Sequence, residues 1–420
     1  MAAMAHSTPP TRVRYGILAL AVTGHVITQL VQPVFGMVMP QIRTELILSM
    51  EAIGPILAAF QLAATVSRFP GAWIGDRFGP RRVVAGAVAL WSICCIATGG
   101  MWSVTSLVIC RFFWGLGTVG EYALRTRSLA RWILPSERGG AMGIAHGAAR
   151  LGTAFAVAPA AWGLSHFGWR PPLICLGVIG AMWVAVWCRY YRDSPLDHPG
   201  VNQAELSRIS ESIELRESPG YPVPWKRILK SRQVWTLAAA YGCYLYALAA
   251  YKGWFPEYLT TQPGGRPKME VLAWALMVTG ALGAIVGGWA SDRLVLRLGL
   301  ASGRRVIAAS GFLLAGISAM AGSLTHHSPG MFWYPCLATF GLEMTVAVSW
   351  AVTLDIGGDA CGTVCAVMNG IGNLIAGAAL VASRTLIQNS GWDAAFGAMA
   401  GICILGAALF TQISAERKIA

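Results

Sequence analysis

Twelve runs of apolar residues, each about as long as a lipid bilayer is thick, dictate what this chain can become. They fall at 15–39, 53–75, 83–102, 106–126, 141–167, 172–191, 233–258, 270–291, 304–324, 331–354, 362–387 and 394–413. A hydrocarbon core of roughly 30 Å needs about 20 helical residues to cross it. Within it every backbone N–H and C=O must be satisfied inside the protein, which leaves helices or closed barrels. The runs are continuously apolar rather than alternating, so helices are expected. Composition agrees, with 55% of residues hydrophobic and 12% charged, against about 25% charged in ordinary soluble domains. The mean hydropathy is +0.55. Glycines are scattered through several runs, as helices that pack closely in lipid require. The first run follows Arg12 and Arg14 without a small-residue cleavage site and reads as a retained span.

The formal net charge of +13 would suit a nucleic-acid partner, but its placement argues against one. With the N-terminus in the cytoplasm, 23 of the 32 Lys and Arg fall in cytoplasmic segments or at the ends of the runs beside them. The opposite loops receive Arg43, Arg170, Arg266 and Lys268. That bias is the positive-inside rule and predicts a cytoplasmic-membrane protein with both termini inside. The ten Cys include no paired C-x-x-C with His partners and read as small apolar fillers, so neither a metal site nor a cofactor is expected.

The longest polar stretch, 192–232, lies mid-chain and contains Asp193-Ser-Pro, His198-Pro-Gly and Ser218-Pro-Gly breakers. Asn202 followed by Glu205 predicts a capping box opening a short helix to about Arg216. On either side the sequence repeats. Gly71-Ala-Trp-Ile-Gly-Asp-Arg77 returns as Gly287-Gly-Trp-Ala-Ser-Asp-Arg293, and His146-Gly-Ala-Ala-Arg-Leu-Gly152 faces Asn369-Gly-Ile-Gly-Asn-Leu-Ile375. Gly168-Trp169 recurs as Gly391-Trp392. Each pair occupies the same span of its half, which makes a parallel repeat and predicts a pathway between the halves. The expected layout is a tail at 1–14, a six-helix bundle at 15–191, a linker with a short helix at 192–232, a second six-helix bundle at 233–413 and a tail at 414–420. The fold class is all-α integral membrane, with twelve transmembrane helices in two pseudo-symmetric bundles.

After the second run comes Asp76-Arg77-Phe78-Gly79-Pro80-Arg81-Arg82, and Asp292-Arg293 repeats its core. This loop resembles the G-x-x-x-D-R-x-G-x-R-R signature of the major facilitator superfamily, with Ala72 in place of its first Gly. Within that superfamily the chain resembles the anion:cation symporters, the hexuronate, galactonate, phthalate and sialate-type carriers. The words that carry the likeness are Pro70-Gly71-Ala72-Trp73, Arg111-Phe-Phe-Trp-Gly115-Leu-Gly117, Ser136-Glu-Arg138, Gly168-Trp169-Arg170, Trp254-Phe-Pro256-Glu-Tyr258 and Ser349-Trp350 with Asp355. The resemblance implies alternating-access transport of a small organic anion, with Asp76, Arg77, Gly79, Arg81, Arg82, Asp292 and Arg293 in gating loops. Two departures bear on coupling. The span 1 Asp-Arg of such carriers is Val31-Gln32 here, and their span 4 Glu is Thr118.

An ionisable side chain within a span costs roughly 2.5–3.5 kcal/mol on insertion scales unless partnered or wet, so each is a candidate site. Arg111 reads as a clamp for a substrate carboxylate, whose geometry its planar fork matches, or as a structural Arg bonding a neighbouring span. Glu121 reads as a displaced proton carrier or as the static partner of Arg125, one turn on. His146 and Arg150, also one turn apart, form a cationic face for an anion, with His146 able to titrate, or pack structurally. Asn369 and Asn373 make the corresponding polar face of the other half. Lys252 contacts substrate or snorkels to the outer interface. Glu343 couples to protons or sits in a buried ion pair with an Arg or Lys elsewhere. The substrate-binding set is therefore Arg111, His146, Arg150, Lys252, Asn369 and Asn373, and the proton-coupling set is Glu121, Glu343 and His146.

No Walker loop, metal-spaced cluster or nucleophile elbow points to an enzyme. The leading expectation is a monomeric secondary transporter of a carboxylate, with protons as a second partner. The alternatives are a proton-independent exchanger or facilitator of another solute and a transporter-like solute sensor.

Overall fold

The structure is a computed structural model that describes residues 9–118, 121–213, 223–261, 269–324, 332–416 and 419. Among these residues the regular structure is helical: α1 Val13–Glu45, α2 Met50–Phe78, α3 Pro80–Thr98, α4 Val104–Gly117, α5 Glu121–Leu129, α6 Arg138–Phe167, α7 Arg170–Tyr190, α8 Gln203–Ser210, α9 Trp225–Lys230, α10 Arg232–Thr261, α11 Met269–Leu298, α12 Leu300–Leu324, α13 Trp333–Gly357 and α14 Cys361–Thr411. Among the described residues each apolar run lies largely on these helices, the fourth being divided between α4 and α5 and the last two joined in α14. Among the described residues, eight stretches are long and apolar enough to cross a membrane by length and composition.

Prolines lie inside α1, α2 and α6 without ending them, as transmembrane helices permit because neighbouring helices re-satisfy the freed backbone groups. Large apolar side chains such as Ile93, Ile317 and Val381 remain exposed, while Trp91, Trp114 and Trp350 are fully buried. A water-soluble protein does not leave so many large apolar side chains uncovered, and lipid is their natural solvent.

The internal repeat is written in the backbone as well. Gly79, which follows α2, and Gly299, which follows α11, both have φ of 85°. Gly168, before α7, and Gly391, which breaks α14, have φ of 77° and 81°. Left-handed backbone of this kind turns one helix sharply into the next and is open to Gly at no steric cost. The same two corners are therefore made by the same residue type in each half.

By contacts the chain divides into two compact units, Met1–Pro135 with Ala158–Val223, and Ser136–Val157 with Pro224–Ala420. The first part of α6 thus belongs with the later unit, although the sequence repeat assigns it to the first half. The reason is close packing of glycines. A Cβ on Gly288 of α11 would strike the Gly139 carbonyl of α6, and one on Gly143 would strike the Ala284 carbonyl. These helices meet backbone to backbone, which small residues alone allow.

The linker helix is shorter than the sequence suggests, ending at Ser210. Asn202 does cap it, accepting from the Glu205 N–H at 2.9 Å. Glu205, however, does not complete a capping box. Its carboxylate accepts from the backbone N–H of Val13 and Arg14 and from the Thr11 hydroxyl. It therefore caps α1, and Asn202 donates its own N–H to Thr11. A fully buried carboxylate at the first turn of α1 satisfies N–H groups that otherwise have no helical partner.

Candidate functional site

In the first unit the central feature is Arg111 on α4, 1% exposed. A mutual Ser103–Ser106 capping box starts this helix. The Arg111 guanidinium carbon lies 3.8 Å from the Phe35 ring centroid, 4.3 Å from that of Phe60 and 4.9 Å from that of Trp114. These three rings come from α1, α2 and α4 and form an aromatic box around the cation. Its polar contact is one hydrogen bond from Nη2 to the Gln32 side-chain oxygen, at 3.3 Å. Nε and Nη1 are buried and make no hydrogen bond among the described residues. Among the described residues no carboxylate pairs with Arg111, so its charge is answered by ring faces and one amide.

The second unit treats a buried arginine differently. Arg150 on α6 donates from Nε to Glu343 of α13 at 2.9 Å, and its Nη2 pairs with the other carboxylate oxygen. The Tyr244 hydroxyl of α10 donates to the same carboxylate at 3.1 Å and accepts from Arg150 Nη2 at 3.3 Å. Glu343 is completely buried, whereas the Arg150 side chain keeps 21% of its surface exposed. One turn before Arg150, His146 lies against Trp350, ring centroids 5.5 Å apart. Trp350 donates its indole N–H to Tyr241, at 3.4 Å. Arg150 and Glu343, read from sequence in two separate roles, form one ion pair. Asn369 and Asn373 bond to each other on α14 and make no polar contact with that pair. The side chains of Glu121 and Lys252 lie outside the described residues.

The loop residues split the same way. Asp76 is buried and pairs with Arg127 at 3.2 Å. Arg77 lies over the rings of Trp73 and Phe78. Arg81 donates its backbone N–H to Asp193, at 2.9 Å, and its guanidinium donates to the Cys188 carbonyl. Burial pushes the Asp193 carboxyl up from its ordinary value, opposed by the Arg81 N–H and by the charges of Arg127, Arg131 and Arg81. Arg82 is exposed. In the second unit Asp292 accepts from the Gly139 and Gly140 N–H groups that open α6 and from Arg304 at 2.8 Å. Arg304 and Arg138 share Asp355, at 3.1 and 2.9 Å. Arg293 stacks on Trp289, 3.8 Å from its centroid.

Sequence reasoning missed Tyr244 and Arg304, and the Phe35–Phe60 half of the aromatic box. Tyr241 and Tyr244, three apart in an apolar span, were a signal for a polar stripe on α10. The rings around Arg111 come from separate spans, and nothing local joins them.

A family model described as Major Facilitator Superfamily matches residues 21–380. The chain is a member of the major facilitator superfamily. It is 32% identical over 79% of its length to a "Probable sulfoacetate transporter" of Cupriavidus necator, covering 77% of that protein. It is 26% identical over 81% of its length to a hexuronate transporter of Bacillus subtilis, covering 79% of it. These relatives fit the anion:cation symporter branch that the sequence resembles. A solved structure of the transporter FucP superposes with a TM-score of 0.77 over 96% of this chain and 100% of that one, at 13% identity. That likeness speaks for the fold alone. The chain is thus a membrane transporter, and these two relatives are named for organic anions.

Proposed function

We propose that this transporter carries a small organic anion across the cytoplasmic membrane as a secondary active carrier, by alternating access, with both termini in the cytoplasm. The observation that carries the reading is Arg111. A guanidinium fully buried with two nitrogens unbonded is a costly arrangement that a structural Arg would avoid. It suits a ligand that brings the missing acceptors, and a carboxylate or sulfonate matches the planar fork. The relatives are named for sulfoacetate, in one case as a probable transporter, and for hexuronates, anions that carry such groups. Aromatic faces keep the cation in place without neutralising it, so its charge stays available to an incoming anion.

Reconstituted into proteoliposomes, the protein should take up sulfoacetate or glucuronate, and Arg111→Ala should take up neither while still inserting. Flux separates a carrier from a solute sensor, which would bind without moving anything. Uptake by Arg111→Ala equal to wild type would sink the assignment of the anchor. In the first unit the residue bonded to Arg111 is an amide, Gln32, which carries no titratable proton. Transport independent of protons is therefore the second reading, unless the second unit supplies a proton site.

A further inference from the structure

We propose that the corner between α9 and α10 is a docking site for the headgroup of an anionic phospholipid. The inference goes beyond the carrier reading and holds for whatever solute is moved. The segment Trp225-Lys-Arg-Ile-Leu-Lys-Ser-Arg-Gln-Val-Trp235 carries four cations, and no Asp or Glu occurs between Glu217 and Glu257. These cations stand at or just before the start of α10, whose stretch Arg232–Tyr251 is long and apolar enough to cross a membrane. The end of such a stretch lies at the level of lipid headgroups, where Trp and basic residues gather.

At about 100° of rotation per residue, Lys226, Arg227 and Lys230 share one side of α9 and Ile228 lies on the other. Burial follows that division: Ile228 has no exposed surface, and the three cations are exposed. Among the described residues none of the three makes a hydrogen bond or an ion pair. Elsewhere in this unit Arg293 stacks on Trp289, and Arg305 donates to the Ile413 carbonyl at 2.6 Å. Arg232 donates to Gln412 at 3.2 Å, a neutral amide that leaves its charge uncompensated.

Two large apolar side chains stand among these charges. Leu229 and Trp235 are 49% and 48% exposed. Trp235 donates its indole N–H to the Leu229 carbonyl at 2.7 Å, which ties the last turn of α9 to the first turn of α10. The Gln233 side-chain oxygen accepts from the Ser414 N–H at 2.7 Å, fastening the corner just past the end of α14. The surface is therefore held in place by its own hydrogen bonds. A soluble anion would answer the cations and leave Leu229 and Trp235 in water. A phospholipid answers both, with its phosphate on the cations and its apolar part against the leucine and the indole.

The test is native mass spectrometry of the full-length, detergent-purified protein with phosphatidylglycerol or phosphatidylcholine added, beside the triple variant Lys226→Gln, Arg227→Gln, Lys230→Gln. Each cation near an anionic headgroup strengthens binding about fivefold. In wild type the first phosphatidylglycerol should therefore bind about 100-fold more tightly than the first phosphatidylcholine, and the triple variant should lose most of that preference. Glycerol 3-phosphate, which has the phosphate without acyl chains, should not displace the lipid at equal concentration. An unchanged preference in the triple variant overturns the site. Displacement by glycerol 3-phosphate overturns a lipid as its occupant. If the triple variant does not fold, phosphatidylglycerol affinity in Lys230→Gln equal to wild type overturns the site instead.

Discussion

Arg111 and Arg150 are the same residue type in the same solvent, and the protein handles them in opposite ways. Arg111 has three rings and an amide around it and no carboxylate among the described residues. Arg150 has a buried glutamate and a tyrosine. The first arrangement keeps a positive charge unneutralised, at a cost in stability. The second neutralises the charge with a carboxylate inside the protein. A structural cation would be expected to look like Arg150 at rest, and an anion receptor like Arg111 when empty.

Perturbing each side chain alone tests this contrast. The largest effect should come from Arg111→Met, with uptake falling by a factor of about 100 or more, as expected when one partner of a buried charged contact worth about 2–5 kcal/mol is removed. Its melting temperature in detergent should hold or rise, because an uncompensated buried charge has been replaced by an apolar chain of similar length. A marked fall in stability would make Arg111 structural after all. Glu343→Ala should do the reverse at the second site, leaving Arg150 without its carboxylate and destabilising the protein by about 3–5 kcal/mol, read as a lowered melting temperature. Phe35→Leu should cost about 2 kcal/mol if its ring stabilises the desolvated guanidinium, visible as a smaller loss of stability in the absence of anion. The smallest effect should be that of Gln32→Ala, about 1 kcal/mol for a single hydrogen bond, with anion affinity kept. Affinity lost as completely as in Arg111→Met would mean that the amide, and not the rings, holds the guanidinium in place.

The fold was legible from the sequence because its cause is local and repeated. A 20-residue apolar run has one way to satisfy its backbone in lipid, and the Asp-Arg and Gly-Trp words recur at the positions where the structure turns its corners on Gly79, Gly299, Gly168 and Gly391. The sites were legible only as residue types. That Arg111, Arg150 and Glu343 stand in apolar runs can be counted, but their partners lie on other helices. The Arg150–Glu343 contact spans 193 residues of chain and the Arg111–Gln32 contact 79. Glu205 shows the same limit at smaller scale. Its spacing from Asn202 forecast a local capping box, and the carboxylate instead closes the first turn of a helix about 190 residues away, at Val13 and Arg14.

The most direct test of the account is thermal stabilisation of the purified protein by a panel of sulfonates and carboxylates, with Arg111→Met measured beside wild type. The account predicts that at least one such anion raises the melting temperature of wild type and leaves that of the variant unmoved. Equal stabilisation of both, or stabilisation of wild type by none of the anions, would contradict it.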